Sequence, residues 1–96
     1  MVTLAVITSR RAELLELAAR RGARNLRVFG SVARGEAGPG SDLDLIVEMD
    51  PDRSVMDLLA LISELEDALG TRVHVVEDVA PRDPLLIRVL EQVVPV

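Results

Sequence analysis

An α/β fold, a small mixed β-sheet with flanking helices, is predicted for this 96-residue chain by three observations. Two short segments, residues 25–29 and 42–48, alternate apolar and polar side chains with the period of two that a strand imposes. Two longer ones, residues 9–21 and 54–69, carry apolar residues at the spacing of a helix face. Strand-like and helix-like segments follow one another along the chain, and a sheet covered by helices buries both kinds of stripe. The length predicts one domain, residues 1–96.

Taken in order, residues 1–8 begin apolar and leave their state open. In 9–21, Leu14, Leu17, Ala18 and Arg21 share a helix face with Leu15 beside them, Glu16 and Arg20 form an i,i+4 pair, and Gly22 is a stop. Residues 25–29 put Leu26 and Val28 on one side and Arg27 and Phe29 on the other. Gly30-Ser31 follows, then Val32-Ala33-Arg34, enough for about one helical turn. The glycine- and proline-bearing segment from Gly35 to Ser41 reads as a loop. In 42–48, Leu43, Leu45 and Val47 face one way; Asp42, Asp44, Ile46 and Glu48 face the other. Asp50-Pro51-Asp52 is a turn, and Ser54 with Asp57 makes a capping box. The helix it opens runs to Leu69, with Val55, Leu58, Leu59, Ile62, Leu65 and Leu69 as its stripe, and Gly70 ends it. Residues 72–76 are a third strand, and Asp83 with Pro84 starts a last helix to about Gln92. Met49 and Met56 read as packing residues.

Composition bounds the chemistry. With 49% hydrophobic and 28% charged residues, the disordered and low-complexity classes are excluded. The absence of cysteine removes disulfides, thiolate nucleophiles and Cys-type zinc sites. A net charge of −5 argues against sequence-blind nucleic-acid binding. All 11 basic residues are arginine, so no lysine Schiff base or phosphate-binding lysine exists. Phe29 is the single aromatic residue, too few for a stacking platform on single strands. No apolar run approaches the ~18 residues of a membrane span, and residues 1–9 lack the basic region and cleavage site of a signal peptide. A cytoplasmic protein without membrane contact is expected.

The informative stretch runs from Gly30 to Asp44: Gly-Ser, ten residues, then Asp-x-Asp. Asp42 and Asp44, two apart on a strand, project from one face with Cα atoms about 6.6–7 Å apart. Such acids repel unless something positive lies between them. A Mg2+ pair, taking hard oxygen ligands here and its remaining ligands from phosphates and water, is the usual arrangement for in-line nucleotidyl displacement. Gly30 lets backbone approach a phosphate closely, the amides opening the turn favour anions, and the Ser31 hydroxyl adds a donor. Arg34, one turn on, can reach a phosphate oxygen. Alone, a Gly-Ser turn or a strand-borne Asp-x-Asp is commonly structural. Together, four fixed letters arise by chance in about one in a thousand chains of this length.

Gly30-Ser31-Val32-Ala33-Arg34-Gly35 followed by Ser41-Asp42-Leu43-Asp44-Leu45-Ile46-Val47 resembles the DNA polymerase β-like nucleotidyltransferase superfamily. Its minimal members are similar in length and cover essentially the whole chain. The resemblance implies the nucleotidyltransferase fold, with Gly30, Ser31, Arg34 and Ser41 holding ATP and with Asp42 and Asp44 ligating two Mg2+ ions. It further implies an antitoxin that transfers AMP from ATP to a hydroxyl, that of a tyrosine, on a helical HEPN-type ribonuclease toxin. The chain departs from the family on the third strand. A third acid is usual there, and Val73-His74-Val75-Val76 puts His74 in its place. An imidazole can accept the attacking hydroxyl's proton, so His74 is the third catalytic candidate, but it brings no negative charge and is softer than Mg2+ prefers. Glu77 has the wrong parity to replace the acid, and Asp78 the right parity but a place roughly 13 Å along the strand. Arg72, on the face of His74, binds phosphate or faces solvent. The alternative function is neutralisation of the partner by binding alone, through apolar surface that a chain this rich in leucine and valine could bury in an oligomer or partner.

Overall fold

The computed structural model describes all 96 residues. In chain order the elements are α1 (Leu4–Ser9), α2 (Arg11–Arg20), β1 (Ala23–Phe29), α3 (Gly30–Ala33), β2 (Leu43–Met49), α4 (Val55–Leu69), β3 (Val73–Glu77), α5 (Pro84–Leu90) and β4 (Val94–Pro95). The strands form one sheet in the order β3-β2-β1-β4. β1 runs antiparallel to both β2 and β4, and β2 runs parallel to β3. A parallel pair needs a crossover, and α4 supplies it. The mixed sheet with flanking helices is the fold expected.

Three of the helices, α1, α4 and α5, start on side-chain caps. Thr3 accepts the amide of Val6 and opens α1, and Val2 and Ile7 are buried beside it. The chain breaks at Arg10, so the helix expected over 9–21 begins at Arg11 and its expected first residue, Ser9, ends a separate helix, α1, in the stretch whose state the sequence left open. The Arg10 side chain bonds the Ala68 carbonyl near the end of α4 and pairs with Glu13 at 2.7 Å, which holds the break in place. The expected Glu16–Arg20 pair is not made. Ser54 and Asp57 form the full capping box of α4, and Gly70 ends it in the left-handed conformation at φ 66°. Asp83 accepts the Leu86 amide at 2.8 Å and Pro84 opens α5.

The core lies between α2, α4 and one face of the sheet. Leu14 and Ala18 of α2 and Leu61 and Leu65 of α4 meet Val28, Leu43, Leu45, Val47 and Val73. The stripe expected on α4 is therefore turned: Leu65 faces inward with Leu61, whereas Val55 is 68% and Leu59 53% exposed. Met56, expected to pack, is 71% exposed. β1 begins two residues earlier than expected because it carries a bulge. Asn25 sits at φ 53°, and the register slips between Arg24 and Arg27. The extra residue puts Arg24 and Arg27, three apart, both opposite residues of one sheet face, Glu48 and Ile46. That face carries the candidate site. Ile46 and Leu86 are the two apolar residues buried outside the main cluster.

Candidate active site

The register brings the candidates together. Phe29, the last residue of β1, stands opposite Asp44, and Asp44 stands beside His74 on the parallel β3. Three contacts lock this alignment from below. Leu43 donates its amide to the Arg72 carbonyl at 2.9 Å, Thr71 donates its hydroxyl to the Ser41 carbonyl at 3.3 Å, and Glu66 accepts the Val73 amide at 3.0 Å. His74 lies between the acids, with Nε2 3.4 Å from Asp42 Oδ2 and Nδ1 3.3 Å from Asp44 Oδ1. Arg72 Nε is 3.9 Å from Asp42 Oδ1. The imidazole of His74 thus stands between the two carboxylates, with the Arg72 guanidinium at the edge.

The turn after β1 closes on the same point. Gly30 has φ 71°, and a Cβ built on it would collide with Asp44 Oδ2 and lie 3.2 Å from Asp44 Cγ. Glycine is required there twice, for its backbone and for the carboxylate against it. α3 is a single turn, and the Ser31 hydroxyl makes no hydrogen bond within the chain. Ser41 accepts the Gly38 amide on its hydroxyl at 2.9 Å, which folds the loop leading to Asp42. Arg34 pairs with Glu36 at 3.0 Å and is half exposed.

Other acids are taken elsewhere. Glu48 lies 3.7 Å from Arg24, whose guanidinium also pairs with Asp50. Asp78 accepts from Arg27 at 3.0 Å and from Arg82 at 2.9 and 3.0 Å. Its carboxyl is held below the usual carboxylate range, first by the Arg82 hydrogen bonds, against the opposing pull of burial, with Arg27 adding to the depression. Asp78 is thus an anchored ion-pair acid and does not stand in for the third carboxylate.

The donor set suits Mg2+. Asp42 and Asp44 are 29% and 25% exposed at their side chains, and their hard oxygens meet only His74 and, at 3.9 Å, Arg72 as charged neighbours. No three acidic or histidine side chains close on one point as a finished metal cage.

The sequence reading missed one neighbour of the site. A cleft of about 340 Å3 opens beside Gly30, and Arg88, Val89 and Gln92 of the last helical segment line it together with Phe29 and Arg34. Arg88 has no carboxylate partner. Nothing in local spacing marks it, because only the packing of α5 brings it to Gly30.

The fold and this constellation define a nucleotidyltransferase. The nucleotidyltransferase domain model matches residues 11–93, and the chain belongs to that family, among its minimal members. It is 36% identical over 89 residues to the protein adenylyltransferase MntA of Thermococcus cleftensis, covering 93% of this chain and 87% of that one. A solved structure provisionally assigned as a minimal nucleotidyltransferase superposes with a TM-score of 0.84 at 44% identity, covering 99% of this chain and 97% of the other. The fold also recurs in a toxin–antitoxin complex with AMP-PNP, at a TM-score of 0.72 and 20% identity over 88% of this chain and 69% of that one. It recurs again in the complex of tri-AMPylated Shewanella oneidensis HEPN toxin with MNT antitoxin, at 0.66 and 16% over 92% and 69%. No helix of the chain is long and apolar enough to cross a membrane.

Proposed function

We propose that this chain is an antitoxin that transfers AMP from ATP to a tyrosine hydroxyl of a HEPN-type toxin, acting in the cytoplasm where ATP is supplied. The observation that carries the reading is the place of His74 between the two acids, 3.4 Å from the Asp42 carboxylate and 3.3 Å from that of Asp44, with Gly30 pressed against the Asp44 carboxylate. The relatives named above as an adenylyltransferase and as antitoxin complexes support the choice of substrate and partner.

Each residue has a task on this reading. Asp42 and Asp44 would hold the two Mg2+ ions of this reading, which would supply charge neutralisation for the triphosphate. Gly30 and the Ser31 hydroxyl receive the phosphates, Arg34 swings from Glu36 to a phosphate oxygen, and Ser41 keeps the loop closed beneath Asp42. The tyrosine oxygen attacks the α-phosphorus, and the bond from that phosphorus to the bridging oxygen breaks. Pyrophosphate leaves with the electron pair. The hydroxyl proton passes to a ring nitrogen of His74.

Binding alone is the second reading, favoured by the histidine that stands where the family usually has an acid. Co-expression with the product of the neighbouring gene, followed by intact mass of the co-purified partner, separates the two. Transfer predicts a partner heavier by one or more AMP units. A stable complex with an unmodified partner, under conditions where ATP and Mg2+ are saturating, supports binding alone and overturns transfer.

A further inference from the structure

We propose that the outer edge of β3 receives the recipient protein as an added strand, so that the accepting tyrosine lies in an extended segment beside His74. This rests on the nucleotidyl-transfer reading above and adds the form in which the acceptor is presented. β3 is an outermost strand of the sheet and pairs only with β2. Leu43 donates to the Arg72 carbonyl at 2.9 Å and Asp78 to the Val47 carbonyl at 2.7 Å, so the even-numbered residues from 72 to 78 turn their backbone groups toward β2. Val73, Val75 and Glu77 turn theirs outward. Glu66 takes the Val73 amide at 3.0 Å, whereas the amides of Val75 and Glu77 and all three carbonyls meet no partner in the chain. Unpaired groups along a strand edge are what an incoming strand bonds to.

The side chains along this edge select the occupant. Arg72, His74 and Val76 alternate along β3 on the face that carries Asp42 and Asp44, and all three are exposed. A strand added here lies about 4.8 Å from β3 and points every second side chain to that same face. The residue beside His74 then stands next to the two acids, where a tyrosine hydroxyl can hand its proton to the imidazole. Two residues to one side its neighbour is Arg72, which suits an acid, and two to the other it is Val76, which suits an apolar side chain. The segment this edge fits therefore reads acid, any residue, tyrosine, any residue, apolar, in whichever direction the strand runs. A second copy of this chain does not fill the role: the sequence has no tyrosine, and two β3 strands paired antiparallel about Val75 set Val76 beside His74.

The test is amide hydrogen exchange, followed by NMR, on the wild-type chain alone and in complex with the co-purified partner. The partner should slow exchange at Val75 and Glu77 by about tenfold or more and leave the Val73 amide, already bonded to Glu66, nearly unchanged. A Glu77→Pro variant removes one outward donor without touching the ladder to β2, because an edge strand tolerates proline where the amide faces away. It should transfer AMP to the partner about tenfold or more slowly than Glu77→Ala, which keeps the amide, while retained Mg2+–ATP binding reports an intact fold. Equal transfer by those two variants, or unchanged exchange at Val75 and Glu77 in a complex whose partner becomes labelled, overturns strand addition and leaves the transfer reading standing. Protection that appears in the chain alone and rises with its concentration overturns it in favour of a second copy. Protected amides with no labelling of the partner by the wild type overturn the transfer reading, and the tyrosine's place beside His74 with it.

Discussion

With a carboxylate 3.4 Å from one ring nitrogen and another 3.3 Å from the second, His74 stands between the two candidate metal ligands. Replacing it with alanine is expected to lower AMP transfer about a hundredfold, the usual worth of a positioned proton acceptor. His74→Asp, which restores a third carboxylate, should match or exceed the wild-type rate. Single-turnover labelling of the partner with ATP checks both, and an alanine variant with undiminished rate would remove the imidazole from the reaction. Gly30→Ala should displace the Asp44 carboxylate and strain the turn at positive φ. It is expected to abolish Mg2+–ATP binding in titration and to lower Tm; binding at the wild-type level would show that the turn and Asp44 are independent. At this scale the sequence was highly legible, because period-two parity alone aims Asp42 and Asp44 at one side. What parity could not show was the fate of Asp78 and Glu48. Arg24 lies 24 residues from Glu48 and Arg27 51 from Asp78, and such long-range pairing leaves no local pattern; only Arg82, four residues beyond Asp78, is a local partner.

Elements were legible where their end signals were. The capping box at Ser54, the left-handed Gly70 and the Asp83-Pro84 start all lie where spacing put them. The face that α4 buries was less so. Its apolar residues cover most of a turn, and the sheet with α2 selects Leu61 and Leu65 over Val55 and Leu59. Leu65→Ala should therefore cost about 2–5 kcal/mol in a urea unfolding experiment and Leu59→Ala no more than about 0.5. Equal costs would mean that the helix is rotated from the orientation described. Two features escaped because they are tertiary. The break at Arg10 depends on the Ala68 carbonyl of α4, and β4 is a two-residue strand defined only by its pairing with β1.

The whole molecule places its chemistry by register. An antiparallel β1 and a parallel β3 flank β2, so the Gly30 turn and His74 both arrive beside Asp44. At the other end of that face, Asp78 ties β1 through Arg27 to the segment before α5 through Arg82. A carboxyl held below its ordinary value stabilises the fold fully above that value and loses the contribution as pH falls through the lowered one. The stability gap between wild type and Asp78→Asn should thus be full at neutrality and shrink below about pH 4 in urea melts. A gap that persists unchanged into stronger acid would contradict the ion-pair account. The motif revealed the family and the candidate acids from sequence, whereas the cleft along α5 exists only once the helix has packed on the sheet. The most direct test of the central claim is transfer of radiolabel from α-labelled ATP to the co-purified partner by the wild type and by the Asp42→Asn, Asp44→Asn double variant. Labelling by the wild type and none by a folded double variant is the predicted result; equal labelling by both would contradict it.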